Sequence, residues 1–187
     1  MKQKRMSGLV LVVGMMLFAP VMAADYVIDK KGQHASVNFK VSHLGFSYII
    51  GRFNDFEGDF SHDANNPSAS KVSVTINTRS LDSNHAERDK VLRGADFLEV
   101  SKYPRITFEG TGYVAGSGGD KLMGDLTMHG VTKAVTIDVN HIGAGADPWG
   151  GYRSGFEGGI TLKAGDFDLP EWVGEIQVSL NVEGVRQ

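Results

Sequence analysis

Apolar and polar residues alternate along most of this chain, with the two-residue period of a β-strand that buries one face. The pattern is clearest near the C-terminus, where single polar residues separate Ile176, Val178 and Leu180. The pattern recurs or continues less regularly at 35–41, 51–62, 72–76, 105–115, 122–128, 135–139 and 155–163. These runs predict an all-β domain of about eight strands.

The connections between the runs carry turn-forming residues, such as Asn66-Pro67 and the glycines at 116–119. Glycine is also abundant, with 24 residues in the whole chain, and Gly51, Gly110 and Gly124 fall inside strand patterns. Glycine weakens a flat strand but lets a sheet bend or bulge sharply. We therefore expect an antiparallel sheet that closes into a barrel, with a two-sheet sandwich as the alternative.

One segment interrupts the β pattern. Residues 81–100 read LDSNHAERDKVLRGADFLEV, and their middle has helical character. Asn84 is a candidate N-cap, with Glu87 three residues later as its capping-box partner. Gly94 suits the position just beyond a helix end. The sequence therefore predicts one inserted helix at about 84–94.

The first 23 residues have the three parts of a secretory signal peptide. A basic start precedes an apolar run from Leu9 to Met22, and small residues, ending in Ala23, lead to a cut before Ala24. The apolar run is shorter than the roughly 20 residues that a membrane-spanning helix needs. We therefore expect export, removal of the leader at 1–23, and one mature domain at 24–187.

Charge and cysteine content exclude several classes of function. The leader holds three of the 19 Lys and Arg residues and no acidic residue, so 16 basic residues face 22 acidic ones in the mature chain. This acidic balance argues against binding nucleic acid through a basic surface. The absence of cysteine excludes thiol nucleophiles, Cys-bound zinc and thioether-linked haem.

Titratable residues are numerous but show no pattern typical of a catalytic or metal centre. The six histidines lack the HxH or HExxH spacing that places two of them on one metal. His85 and Asp89 share a helix face, but Asp89 and Arg93 are also spaced as an ordinary helical ion pair. No G-x-S-x-G elbow or P-loop occurs. We therefore expect no catalytic site, no metal site and no cofactor.

Aromatic residues are spread over most of the predicted strands, with ten Phe and two Trp in the chain. The interior of an eight-stranded barrel is just wide enough to be filled by side chains or to hold one ligand. Large rings suit either case, because they fill cores and also line apolar cavities. The pattern leaves a filled core and a lined cavity equally open.

Residues 84–104, NHAERDKVLRGADFLEVSKYP, resemble the signature of the YceI-like family of exported bacterial proteins. Four other stretches are similar to that family in the same order, so the resemblance spans essentially the whole mature chain. They are ADYVIDKKGQHASVNFKVSHLGFS at 24–47, GRFNDFEGDF at 51–60, GDLTMHGVTKAVTI at 124–137 and ADPWGGYRSGFEG at 146–158.

The resemblance implies a lipocalin-like, extended antiparallel barrel in the periplasm, whose apolar interior binds a long isoprenoid lipid such as a quinone or prenyl phosphate. It further implies transient membrane contact for lipid exchange, a homodimer in some relatives, and a link to stress at acid or high pH. An enzyme acting on such a lipid and a ligand-free stress protein remain the alternatives. The residues expected to contact the isoprenoid tail are Val37, Phe39, Phe53, Phe60, Val74, Phe97, Phe108, Leu126 and Ile137.

Two further expectations concern the ends of this barrel. The helix would cover one end, with Phe97 turned inward and the charged residues His85, Arg88 and Asp89 in solvent. Either Arg88 or Arg93 could then meet a phosphate or quinone head group. The loop at 168–174 is shorter than the resemblance leads us to expect, so access to one mouth could differ here.

Overall fold

The computed structural model describes residues 23–63 and 65–187, and one antiparallel sheet takes up most of them. The expected leader at 1–23 lies outside the described residues except for Ala23. No helix in the described part of the chain is long and apolar enough to cross a bilayer. The strands are β1 (Ala24–Ile28), β2 (Ser36–His43), β3 (Ser47–Phe53), β4 (Phe56–His62), β5 (Lys71–Asn77), β6 (Leu81–Asp82), β7 (Arg105–Val114), β8 (Asp120–Met128), β9 (Val131–Ala146), β10 (Tyr152–Lys163) and β11 (Glu175–Arg186).

The sheet closes on itself because β11 pairs with β1, which places Tyr26 opposite Arg186 and Ile28 opposite Gly184. Around the closed ring the strands follow the order β1-β4-β5-β7-β8-β9-β10-β11. The expected antiparallel barrel of about eight strands is therefore confirmed, and the sandwich alternative is wrong.

Three further strands lengthen one side of this barrel. β2 continues the line of β1 along β11, β3 pairs with β2, and β6 pairs with β3. The run predicted at 51–62 is consequently two strands, β3 and β4, separated at Asn54 and Asp55. At this break the N–H of Asn54 donates to the carbonyl of Ser80, and the carbonyl of Asp55 accepts from Asn77.

The inserted helix is confirmed but is shorter than predicted, since α1 spans Ala86–Leu92 rather than 84–94. The predicted N-cap at Asn84 is wrong. His85 caps the helix instead, because its Nδ1 accepts a hydrogen bond from the Arg88 N–H at 3.1 Å. Asn84 takes a left-handed φ of 62° just before the cap, a conformation that asparagine tolerates better than most residues.

Charged side chains of the helix and its C-cap hold the helix against the barrel by hydrogen bonds. Asp89 is buried rather than in solvent, and its Oδ1 accepts from the Ser83 N–H at 2.9 Å and from the Ser83 hydroxyl at 2.5 Å. Arg88 also donates to Ser83, through Nε at 2.8 Å. Arg93 donates to the carbonyl oxygen of Leu81, so the expected ion pair between Asp89 and Arg93 is wrong.

A part-buried ion-pair network joins the end of β1 to β10 and β11. Arg153 donates to Asp29 at 2.6 Å, to Asp147 at 2.7 Å and to Glu183 at 2.5 Å. Asp29 is only 7% exposed and also accepts from the Gly32 N–H at 2.7 Å. These hydrogen bonds, with that from Arg153 the strongest, hold the pKa of Asp29 at about 2.

The lowered pKa of Asp29 predicts how the stability of the barrel depends on pH. A carboxylate whose pKa is lower in the folded chain stabilises the fold above its unfolded pKa of about 4, and this stabilisation is lost as the pH falls toward 2. Asp29→Asn should lower the free energy of unfolding at pH 7 by about 1–2 kcal/mol, after allowance for solvent screening. Between about pH 4 and pH 2, the free energy of unfolding should also change less in this variant than in the unchanged protein.

Urea titrations at a series of pH values measure both effects of Asp29→Asn. Asp25→Asn is the matched control, since Asp25 is an exposed carboxylate on β1, the strand that directly precedes Asp29. Equal losses of stability in the two variants, with the same pH dependence, would contradict a special role for Asp29.

Candidate ligand-binding cavity

A cavity of about 980 Å³ runs along the inside of the barrel. At one end, which we call the mouth, it reaches the β2–β3 hairpin, α1 and the short 3₁₀ turn Glu171–Val173. At the other, which we call the inner end, its lining includes His62, Tyr113 and Phe156. The barrel interior is therefore a lined cavity rather than a filled core.

All nine residues predicted to contact an isoprenoid tail lie on this lining. Eight of them come from strands β2, β3, β4, β5, β7, β8 and β9, where the two-residue period turns them toward the barrel axis. Whether they contact a ligand stays a prediction. The nine are Val37, Phe39, Phe53, Phe60, Val74, Phe97, Phe108, Leu126 and Ile137.

Two of the lining phenylalanines lie over glycines on neighbouring strands. A Cβ atom on Gly124 would be 2.3 Å from Cζ of Phe108, and one on Gly51 would be 2.2 Å from Cζ of Phe39. Only glycine lets a ring lie this close to the backbone of the next strand. The rings therefore pack against the wall, which leaves the middle of the barrel free.

The mouth carries exposed apolar side chains. Leu44 is 75% exposed and Tyr48 is 60% exposed, although both also line the cavity. Phe46, in the hairpin loop between β2 and β3, is 87% exposed. Across the opening, Trp172 packs edge-on against Phe97 with their ring centroids 5.7 Å apart. We call these five residues the rim.

The loop at 168–174, which is shorter than the resemblance led us to expect, lies at this mouth. Its 3₁₀ turn places Trp172, Val173 and Gly174 on the cavity lining. Gly174 has a φ of 71°, which glycine adopts without steric cost, and it returns the chain into β11. This short loop places one large ring, that of Trp172, at the opening.

The inner end contains several polar side chains. The Tyr113 hydroxyl donates to Asp120 at 2.5 Å, and burial together with this hydrogen bond raises the pKa of Tyr113. The same hydrogen bond lowers the pKa of Asp120. Burial, and then the nearby charge of His141, lowers the pKa of His62, so that its imidazole is neutral at pH 7.

A serine and a histidine lie side by side behind the inner end, with 3.1 Å between Ser154 Oγ and His141 Nε2. Such a pair could activate a nucleophile if a substrate had access to it. Ser154 is completely buried, however, and neither residue is part of the cavity lining. This pair therefore does not present a nucleophile to a ligand in the cavity.

Among the described residues, one group has the spacing of metal ligands: Asp29, His34 and Glu183 have potential ligand atoms within 4.8 Å of one another. Arg153 already lies between the two carboxylates, with its Nη1 2.6 Å from Asp29 and 2.5 Å from Glu183. Its guanidinium supplies the positive charge that a metal ion would bring. The group therefore works as an ion-pair network.

Sequence reasoning found the wall of the cavity and considered Phe97 and the loop at 168–174 for its ends, but it missed the β2–β3 hairpin at the mouth and the polar side chains of the inner end. At the mouth, a signal was available in Leu44 and Phe46, two apolar residues on either side of Gly45 between the strand patterns at 35–41 and 51–62. At the inner end, His62 follows Phe60 by two residues and so shares its inward face. Tyr113 could not be assigned from the alternation, because the β7–β8 pairing shifts register between Gly110 and Gly112.

The close packing of Phe108 over Gly124 predicts that a methyl group at this glycine destabilises the barrel. In Gly124→Ala the ring of Phe108 and the Glu109 carbonyl would both have to shift, which we expect to cost about 1–3 kcal/mol of unfolding free energy. Gly143→Ala in β9 is the matched control, since no atom lies within 4 Å of a Cβ built there. Denaturant unfolding that gives equal stabilities for both variants would contradict this packing argument.

Comparison with known proteins places the chain in a family. The sequence matches the YceI-like domain over residues 26–184. A UPF0312 protein of Ectopseudomonas mendocina is 58% identical over 171 residues, which cover 89% of this chain and 90% of that protein.

Two solved structures share the fold. Burkholderia cenocepacia BcnA has a TM-score of 0.74 at 22% identity, over 83% of this chain and 98% of BcnA. A polyisoprenoid binding domain from Saccharophagus degradans has a TM-score of 0.65 at 14% identity, over 89% of this chain and 100% of that domain. The family match extends from β1 into β11 and so includes every strand of the barrel. The chain belongs to the YceI-like family.

Proposed function

We propose that this protein binds the chain of a long isoprenoid lipid inside its barrel and carries it through the periplasm. The observation that supports this best is the cavity of about 980 Å³ with a mainly aliphatic and aromatic lining. Its volume lies at the upper end of the range of about 300–1,000 Å³ for small-ligand sites. The structurally similar domain from Saccharophagus degradans is described as polyisoprenoid binding, which is the same ligand class.

A membrane is the expected source of the ligand. Moving a chain of roughly 40 carbons out of water would release about 30 kcal/mol, more than the practical limit of about 20 kcal/mol for non-covalent binding. A chain that leaves a bilayer is already in apolar surroundings, so it gains little free energy from entering the apolar cavity. Net affinity then depends on shape, chain entropy and head-group contacts, and a modest affinity suits a carrier that releases its lipid.

The proposed location in the periplasm is based on the leader at 1–23. Ala24, the first residue after the expected cut, is also the first residue of β1 and pairs with His62 of β4. Cleavage there would leave the first strand of the barrel complete. The expected homodimer remains a proposal from the resemblance.

Binding without turnover is the function that the cavity supports best. An enzyme acting on the lipid would need a closely paired nucleophile and base on the cavity wall. The Ser154–His141 pair, at 3.1 Å, lies off that wall, and the Ser70–His62 contact on the wall is long, at 3.5 Å. A ligand-free stress protein would need a filled interior, which the free volume argues against. Neither alternative is favoured by a specific observation.

Mass spectrometry of protein purified from the periplasm without detergent tests the proposal. Native and denaturing spectra would be compared, and the organic extract would be identified. A stoichiometric isoprenoid is the expected result. A clean apoprotein mass, together with failure to take up added prenyl lipids, would overturn the proposed function.

Charges placed on the cavity wall should abolish lipid retention. In the double variant Phe39→Asp and Phe108→Asp, the carboxylates would be desolvated by an apolar tail, which is unfavourable by several kcal/mol. We expect export to continue and the bound lipid to be lost in mass spectra of the purified protein. Val74→Trp is a second variant, which keeps the wall apolar but removes free volume. Ile142→Asp, on the outer surface, is the control. A folded double variant that still carries lipid would contradict the assignment.

The exposed rim predicts that the mouth touches the bilayer during lipid exchange, because exposed apolar patches mark interaction surfaces. Phe46→Asp should slow transfer of an isoprenoid quinone from vesicles severalfold. It should not change the amount bound at equilibrium, since Phe46 is not part of the cavity lining. Ile142→Asp is again the control, because Ile142 is 64% exposed on β9 and lies outside the rim. Equal transfer rates for the two variants would contradict docking through the mouth.

A further inference from the structure

The turn between β9 and β10 presents a large aromatic ring to solvent at the end of the barrel opposite the mouth. Its sequence, ADPWGG at 146–151, belongs to one of the stretches that resemble the YceI-like family. Trp149 in this turn is 73% exposed. Residues 146–151 lie outside the cavity lining, which β10 first reaches at Phe156 on the inner end. Lipid binding in the cavity therefore does not account for the position of this ring.

Hydrogen bonds to Asp147 fix the backbone of the turn. Its Oδ1 accepts from the backbone N–H groups of Trp149, at 2.9 Å, and Gly151, at 2.8 Å. Its Oδ2 accepts from Nε of Arg153 at 2.7 Å. Gly150 has a φ of 87°, which glycine adopts without steric cost. Trp149 is therefore presented on a preformed turn, which lowers the entropy lost when a partner binds.

The ring of Trp149 already binds one cation of this chain. The guanidinium carbon of Arg153 is 5.2 Å from the ring centroid, within the range of a cation–π interaction. Since the residue is still 73% exposed, Arg153 covers only part of the ring. The exposed part can bind a second cation in the same way. Tryptophan is also among the residues most enriched where proteins bind one another tightly.

The sheet beside Trp149 lacks side chains on its outer face. Phe156 lines the cavity, so Gly155 and Arg153, which alternate with inward residues of β10, face outward. Their partners on β9 are Gly143 and Gly145. No atom lies within 4 Å of a Cβ built on either of these two glycines. The backbone of another chain can therefore approach the sheet closely here.

The charges next to this face are negative on balance. Asp29, Asp147 and Glu183 all accept hydrogen bonds from Arg153, so three carboxylates meet one guanidinium and two negative charges are left. Glu183 lies directly opposite Gly155 in the pairing of β10 with β11. The electrostatic field beside the glycines and Trp149 therefore favours a basic partner and disfavours an acidic one.

A sugar is the other kind of ligand that could stack on Trp149. It would need free hydrogen-bonding groups beside the ring. The carboxylate of Asp147 already accepts three hydrogen bonds, and that of Glu183 is engaged by Arg153. A cation needs no such free group, because it is attracted by the π face and by the net negative charge.

We propose that Trp149, Arg153 and the three glycines at 143, 145 and 155 form a docking surface for an extended, basic segment of a partner protein. An arginine or lysine of that segment lies over the exposed part of the Trp149 ring, and its backbone crosses the glycines. Because this surface lies at the inner end, a bound partner leaves the mouth open. The inference goes beyond lipid binding and does not depend on it.

NMR of the two tryptophan indole N–H signals tests the proposal. The probe is a short capped peptide of alternating arginine and serine, added at about 0.15 M salt to screen long-range attraction. It should shift the Trp149 signal more than the Trp172 signal, which comes from a similarly exposed ring at the mouth. The matched peptide of glutamate and serine should shift neither. Equal shifts of both signals by the arginine peptide would overturn the inference, because the attraction would then be unspecific.

Variants of Trp149 test the role of its ring. Trp149→Ala should weaken binding of the arginine peptide about two- to tenfold, as expected for one lost cation–π contact, and Trp149→Tyr should recover part of it. Trp172→Ala is the matched control and should leave the affinity unchanged. Unchanged affinity in Trp149→Ala, or equal losses in the two alanine variants, would overturn the inference.

A side chain on the glycines tests where the partner's backbone lies. Gly145→Val fills open space on a strand that suits β-branched residues, so we expect it to fold and to weaken peptide binding severalfold. Ala134→Val is the control, since Ala134 is exposed on the same strand but lies far from the turn. If both valine variants bind the peptide equally well, the partner does not cross the glycines and the proposed surface is wrong.

Discussion

The pairing of β1 with β11 closes the sheet, and the cavity exists only because of this closure. An open sheet has to bury its apolar face against another layer, whereas a closed one turns that face toward itself. Next to the same seam, the Asp29 N–H donates to the carbonyl of Glu183 at 2.8 Å, and Arg153 joins both side chains. Backbone pairing and a part-buried ion-pair network therefore stabilise the seam where the first and last strands of the barrel meet.

The free volume inside the barrel results from how its rings are placed. Phe39 and Phe108 lie over Gly51 and Gly124, so large side chains cover the wall without crossing the interior. The two ends then differ in character: the mouth carries exposed apolar side chains such as Phe46, and the inner end carries polar rings. The cavity is therefore asymmetric along its length.

Much of the wall could be predicted from sequence, because strand alternation needs only neighbouring residues. The two-residue period alone placed residues such as Val37 and Ile137 on the inward face, and both line the cavity. The errors occurred where the backbone is irregular. The break at Asn54 depends on a hydrogen bond to Ser80, and the burial of Asp89 depends on the Ser83 loop, neither of which a local pattern contains.

By itself, the sequence determined an all-β chain with one short helix, an acidic balance of charge without cysteine, and the inward residues of most strands. These properties follow from composition and from periodicity, which are local. The tertiary structure alone decided that the sheet closes, that its interior stays open, and that His62, Phe156 and His141 meet at one end. Those features depend on register between strands far apart in the chain, and pairing of distant strands cannot be read from the pattern of one strand.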